Sequence, residues 1–221
     1  MRAQPNKSIR NGVNFGRVRV FSHDLSPEAY LQFSSTDRIA WDIETSGLDP
    51  ETAKIGTCQL YSPTAGACVV TRVNGSTPKL LSRLLSDEKV TKVFHHAPFD
   101  LSFMTYAWNA QPRNIACTKI AEKLLHPTAP AEEYSLKFLM KRHFGMVLDK
   151  QVRFTDWLSE SLSERQLEYA VGDVVMLLDL YELQEHYLKE ADASKLYQDC
   201  LSFLPTAVKL RIRHVPDVFS Y

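Results

Sequence analysis

The sequence predicts an α/β layer fold in one domain, and three observations predict it. Short apolar runs of strand character crowd the segment up to Phe94, with connections brief enough for direct strand-to-strand returns. Beyond Phe94 the pattern becomes almost wholly helical, to about Leu204. Length and composition agree: 221 residues, 44% hydrophobic and 24% charged, suit one globular domain of ordinary size. A mixed sheet laid down first and helices packed on it afterwards is the layer architecture this order implies.

Residues 1–14 read as a disordered basic tail, because Gln4, Pro5, Asn6, Ser8, Asn11 and Gly12 are loop formers and Arg2, Lys7 and Arg10 carry charge with no acid among them. The domain is expected over 15–221. Arg17-Val18-Arg19-Val20-Phe21 alternates and predicts a short strand. Ser26-Pro27-Glu28 starts a helix, with Pro in the first turn. The run from Ile39 to Ile43 predicts the next strand. Residues 56–61 and 67–71 predict two more, joined by a Ser62-Pro63-Thr64-Ala65-Gly66 turn, so three strands should form an antiparallel meander. Pro78 to Leu85 predicts a helix and Val90 to Phe94 a short buried strand. No internal repeat, low-complexity segment or domain linker interrupts the chain.

Charge excludes little. Lys+Arg and Asp+Glu balance at 26 each. A second basic stretch, Lys137, Lys141, Arg142, Lys150 and Arg153, would suit a phosphate-bearing substrate, but such runs are also ordinary solvated faces. The four cysteines, Cys58, Cys68, Cys117 and Cys200, have no C-x-x-C spacing and no zinc-finger histidines. Free thiols in a reducing, cytoplasmic setting are the simplest reading. No run of apolar residues is long enough to span a membrane, and no secretory h-region opens the chain.

Chemistry enters at Ile39-Ala40-Trp41-Asp42-Ile43-Glu44-Thr45-Ser46-Gly47-Leu48. Along a strand, i and i+2 project to one face, so Asp42 and Glu44 point together while Trp41 and Ile43 enter a core. Two adjacent carboxylates repel, and a cation relieves the repulsion; all-oxygen ligands suit Mg²⁺ or Mn²⁺. A D-x-E match by itself is expected about once per chain by chance.

In Val93-Phe94-His95-His96-Ala97-Pro98-Phe99-Asp100 a strand gives way to a helix. Asp100 falls in the first helical turn, where the helix dipole favours a carboxylate. It reads either as a capping acid or as a third metal ligand at the C-terminal end of a strand. His95 and His96 read either as ligands or as packing plus a surface imidazole. Later, Ser163 and Gln166 form a capping box that starts a helix. Leu167, Ala170, Val171, Val174, Leu178 and Tyr181 make its buried stripe. Tyr169 and Asp173, four residues apart, are neighbours at the stripe's margin. Four carboxylates can hold two divalent ions, an arrangement suited to in-line attack at phosphorus, with a tyrosine hydroxyl orienting the attacking water.

These motifs together resemble the DEDD superfamily of 3′–5′ exonucleases, in the tyrosine subgroup that includes ribonuclease D. The first motif is Asp42-Ile43-Glu44-Thr45 with Gly47 and Leu48, the second Phe94-His95 through Phe99-Asp100, the third Tyr169-Ala170 through Asp173-Val174. Cys117 to Ala121, Ser135-Leu136-Lys137, Asp156-Trp157-Leu158 with Leu162-Ser163, and the tail Phe203-Leu204-Pro205 with Asp217-Val218-Phe219 are similar too. The likeness runs from about Arg17 and is greatest to the stand-alone nano-RNase C group.

The resemblance implies a ribonuclease H-like mixed sheet flanked by helices, and metal-dependent release of 5′-mononucleotides from the 3′ end of short single-stranded RNA, down to dinucleotides. It implies a homo-oligomer, dimer-based and up to a ring-shaped octamer. Asp42, Glu44, Asp100 and Asp173 would bind two Mg²⁺ or Mn²⁺ ions, and Tyr169 would position the water. Thr45, Gly47 and Leu48 would contact the terminal nucleotide, Leu48 wedging between two bases, with His95, His96, Phe99 and Gln166 as further substrate contacts. A glycine at 47 lets backbone approach the nucleotide closely. The sequence departs at His96, where many members carry Asn, and at Pro98, where a polar residue is common. Ribonuclease D carries further C-terminal helical domains, so the expectation is that long structured RNA is not the main substrate. The helices around Leu124, Leu136 and Leu196 read either as subunit contacts or as the core of one domain. Two rival readings stand beside this one: a ribonuclease D-like exonuclease on longer RNA or on DNA 3′ ends, and a non-catalytic nucleic-acid-binding module.

Overall fold

The computed structural model describes residues 18–147, 152, 155–216 and 218–219, with the backbone alone at 9–10 and 13–14. Within the stretch read as a tail, β1 (Ile9–Arg10) and β2 (Val13–Asn14) pair antiparallel. The rest of 1–17 lies outside the described residues, as do Lys150, Arg153 and Asp217.

The main sheet has six strands in the order β3-β6-β5-β4-β7-β8. They are β3 (Arg19–Ser22), β4 (Arg38–Thr45), β5 (Ile55–Ser62), β6 (Gly66–Thr71), β7 (Thr91–Phe94) and β8 (Ile115–Cys117). β4, β5 and β6 form the expected antiparallel meander. β3 joins it in parallel to β6, and β7 and β8 extend it in parallel beyond β4. The side chains of β4 explain its central place. Ile39, Trp41 and Ile43 enter one core, and Ala40 enters the core on the opposite face. Asp42 and Glu44 continue that second face toward the strand's end.

Helices cover both faces, as a mixed, mostly buried sheet requires. On the first pack α1 (Pro27–Ser34), α2 (Lys79–Leu85), α3 (Ala97–Trp108) and the second half of α8 (Ser194–Ile212). On the second pack α4 (Thr118–Leu125), α5 (Leu136–Phe144), α6 (Glu164–Val175) and α7 (Leu177–Glu190). The Ser26 hydroxyl caps α1 by accepting from the Ala29 amide at 3.1 Å.

Two elements correct the sequence expectation. The chain after Phe94 is not purely helical, because β8 adds an edge strand to β7. Three residues are too few to show a period-two pattern, and pairing supplied by β7 makes the strand. The last helix does not stop near Leu204 but continues through Pro205 to Ile212. A helical proline forfeits one backbone hydrogen bond. Burial of Leu204 and Val208, one turn apart against the first core, holds the helix beyond it. The stripe expected from Leu167 to Tyr181 spans two helices, divided at Met176. Of the helices singled out for subunit contacts, Leu124 and Leu136 pack against the second core, while Leu196 is exposed.

Candidate active site

The site begins where β4 ends. Across the β4–β5 ladder Glu44 opposes Thr57 but Thr45 opposes Ile55, so Gly56 is an extra, unopposed residue. Such a bulge sharpens local twist and re-aims side chains at a strand end. Beyond it the chain loops back on itself. The Thr45 hydroxyl donates to the Gly47 carbonyl at 2.6 Å, the Ser46 amide to the Lys54 carbonyl at 3.0 Å, and the Lys54 amide to the Ser46 hydroxyl at 3.0 Å. A Cβ on Gly47 would meet Ala53 Cβ at 3.1 Å, so this glycine serves the packing of the loop on its own return. At the tip, Leu48 is 68% exposed.

The second acid comes from the β7–α3 junction. His96 sits in the left-handed region (φ 72°, ψ 45°) as the N-cap of α3. Asn and His are among the few non-glycine residues that tolerate this region, so histidine serves where asparagine is common. Past that turn the helix delivers Asp100 into its first turn, where the carboxylate is buried. The third element is α6. Its capping box is present: the Ser163 hydroxyl accepts from the Gln166 amide at 3.3 Å, and Gln166 Oε1 accepts from the Ser163 amide at 3.0 Å. Tyr169 and Asp173 follow on one face, half-buried.

These elements converge on one cavity of about 680 Å³. Asp42, Glu44, Asp100, Tyr169 and Asp173 all line it, as do Thr45, Gly47 and Leu48, and His95, His96 and Phe99. Carboxylate oxygens of Asp42, Glu44 and Asp173 lie within 4.8 Å of one another; Asp100 stands outside that trio. Burial, then the charges of Asp100, Glu44 and Asp173, hold the Asp42 carboxyl well above the usual carboxylate range. Burial also raises Asp100, against backbone N–H donors and the Arg211 charge, which lower it. Crowded, desolvated carboxylates that resist ionising are the electrostatic condition a bound cation would relieve. The oxygen-only donor set matches a hard divalent ion.

The surroundings of His95 and His96 disfavour the charged imidazole. Burial and the Lys119 charge push His95 down to about 3 and His96 down to about 4. Both His95 nitrogens are engaged inside the protein. Nε2 is 3.1 Å from the Tyr134 carbonyl oxygen, which can only accept, so Nε2 carries the proton. Nδ1 then accepts from the Thr118 hydroxyl at 2.8 Å.

Gln166, expected as a substrate contact, is not among the residues that line the cavity. Its amide nitrogen donates to Thr155 Oγ1 and to the Asp156 carbonyl, each at 3.1 Å. It thereby fixes a segment that sequence reasoning left out of the site. Thr155, Asp156 and Trp157 form one wall of the cavity, and Ser135, Leu136 and Lys137 at the start of α5 form another. Their motifs were legible as family likeness; their place in the wall was not. Trp157 is buried with its ring centroid 5.8 Å from that of Tyr169. Arg211, from the last turn of α8, is a further unanticipated residue. It donates to the Leu48 carbonyl at 3.2 Å.

Residues 19–187 match the family model described as 3′–5′ exonuclease. Ribonuclease D of Nitrobacter hamburgensis is 33% identical over 132 residues, covering 60% of this chain and 34% of that protein. The chain thus spans about a third of the length of that curated relative. The solved structure of Brucella melitensis NrnC bound to pGG is 31% identical, with a TM-score of 0.84 over 92% of this chain and 98% of that one. The same Brucella protein with bound Mg²⁺ is 30% identical, with a TM-score of 0.83 over the same shares. With a family match over most of its length and a near-complete structural counterpart, the chain belongs to the DEDD 3′–5′ exonucleases of the ribonuclease D type.

Proposed function

We propose that this chain is a metal-dependent 3′–5′ exoribonuclease that hydrolyses short oligoribonucleotides, down to dinucleotides, to 5′-mononucleotides. One observation carries the reading. Asp42, Glu44, Asp100, Tyr169 and Asp173, from three separate elements, face one cavity whose rim is the Thr45–Leu48 loop.

Asp42, Glu44 and Asp173, with Asp100 beside them, would hold two Mg²⁺ or Mn²⁺ ions. When bound, such ions activate a water and neutralise charge on the leaving 3′-oxygen. Tyr169 orients that water through its hydroxyl, and its ring is braced by Trp157. Thr45, Gly47 and Leu48 grip the 3′-terminal nucleotide; His96 and Phe99 contribute neutral and apolar contacts. The water oxygen bonds to phosphorus, the bond to the 3′-oxygen breaks, that oxygen takes up a proton, and the released nucleotide keeps its phosphate on the 5′-oxygen. A cavity of about 680 Å³ falls in the range of small-ligand sites, which supports a short substrate. The pGG bound by the Brucella relative supports the same length.

We further propose that 15–221 forms the exonuclease domain, that it works in the cytoplasm, and that it assembles as a dimer-based homo-oligomer, up to an octameric ring. No described helix is long and apolar enough to cross a membrane. A second reading, trimming of longer RNA 3′ ends, is favoured by the ribonuclease D relatives. End-labelled RNA dinucleotide and 20-mer incubated with the protein and Mn²⁺ decide between them. Faster loss of the dinucleotide is expected, faster loss of the 20-mer would favour trimming, and cleavage of neither would defeat both.

A further inference from the structure

Arg211 joins the C-terminal helix to the substrate side of the cavity. Its Nη2 donates to the Leu48 carbonyl at 3.2 Å, and its Nε donates to Ser102 Oγ at 3.2 Å. Ser102 Oγ in turn donates to the Phe99 carbonyl at 2.7 Å. The guanidinium carbon lies 5.4 Å from the centroid of the Phe99 ring, within cation–π range. One side chain therefore holds two cavity-lining residues, Leu48 and Phe99, that come from different elements. A turn further on, His214 Nε2 lies 3.5 Å from Glu51 Oε2 and 3.9 Å from Asp49 Oδ1, on the same loop. The end of α8 thus grips the 48–51 loop from outside, while the loop's inner side faces the cavity.

The tip needs such a grip. Leu48 is 68% exposed and has no core of its own to hold it. The planar fork of arginine can serve a carbonyl, a hydroxyl and a ring face at once, which a lysine ammonium cannot. The Arg211 charge also lowers the Asp100 carboxyl. Arg211→Lys keeps that charge and loses the planar fork, whereas Arg211→Gln loses both, so the two variants separate the clamp on the Leu48 loop from the charge beside Asp100.

We propose that Arg211 is a positioning residue that fixes the Leu48 loop against Phe99 and thereby sets affinity for the shortest substrates. This inference rests on the exonuclease reading above. The test compares full-length wild type, Arg211→Lys and Arg211→Gln by steady-state kinetics on RNA dinucleotide and 20-mer. Hydrogen exchange over residues 45–53 and thermal melting are followed in parallel. Arg211→Gln is expected to raise KM for the dinucleotide about tenfold with kcat within about twofold, and to shift the 20-mer less. Amide exchange over 45–53 should quicken at least about tenfold, and Arg211→Lys should recover part of both losses. An unchanged dinucleotide KM and unchanged exchange in Arg211→Gln would overturn the proposal. So would a fall in kcat alone that tracks a lowered melting temperature, the mark of a merely structural helix anchor. Should wild type cleave neither substrate, the exonuclease reading falls, and the exchange data still decide whether Arg211 holds the loop.

Discussion

Gly56 lies directly against the main chain of Trp157. A Cβ at position 56 would collide with the Trp157 carbonyl oxygen and stand 2.8 Å from its carbonyl carbon. The absence of a side chain in the β4–β5 bulge is what lets the 155–157 wall close on the sheet. That wall in turn presents the Trp157 ring to Tyr169.

Gly56→Ala should therefore damage the site from a distance. Because backbone cannot yield as a flexible side-chain end can, the variant should lose about 1–3 kcal/mol of stability. At a temperature where it is still folded, its kcat should fall about tenfold or more as Tyr169 loses its brace. Denaturant melts and turnover measured on one preparation check both; wild-type values for each would remove Gly56 from the account.

Gln166 should behave as a brace and not as a substrate contact. Gln166→Leu deletes the capping-box acceptor and both bonds to the 155–156 segment, at a cost of about 1–2 kcal/mol. Turnover should drop while KM for the dinucleotide stays within about twofold. A selective rise in KM would return Gln166 to the substrate side.

His96 should tolerate asparagine and reject a β-branched residue. In the left-handed conformation His96→Asn keeps stability near wild type, whereas His96→Val costs about 1–2 kcal/mol. Thermal melts of the two variants side by side are the measurement, and equal stabilities would count against the strained N-cap.

Without metal, stability should fall as pH rises. Asp42 and Asp100 are both raised in the folded state, so folding takes up protons relative to an unfolded chain with carboxyls near 4. Their contribution is full below that value and is lost as pH climbs through the folded values. In EDTA, wild type should lose stability relative to Asp100→Asn between pH 5 and 8, and Mg²⁺ should narrow the gap by stabilising the ionised acids. A gap independent of pH, or one that Mg²⁺ leaves untouched, would speak against crowded, metal-seeking carboxylates.

Much of the site was legible because its signals are local. Period-two alternation places Asp42 and Glu44 on one face of β4, and the Ser163–Gln166 capping box starts the helix that carries Tyr169 and Asp173. Other parts depend on contacts between residues far apart in the chain. The wall at Trp157 exists because residue 56 lacks a side chain. Arg211 reaches Leu48 across 163 positions. Gln166 was legible as a cap, yet its amide nitrogen serves a segment ten residues earlier, which no local pattern encodes. β8 and the helix beyond Pro205 were missed for a related reason: neighbouring strand and core supply what the local sequence lacks.

The most direct measurement is turnover of an end-labelled RNA dinucleotide by wild type and Asp42→Ala in Mg²⁺, with circular dichroism on both. Wild type should release 5′-mononucleotides, and the variant should be folded and at least about a hundredfold slower. A folded Asp42→Ala protein within about tenfold of wild type would contradict the assignment of Asp42, Glu44 and Asp173 as the metal-holding centre.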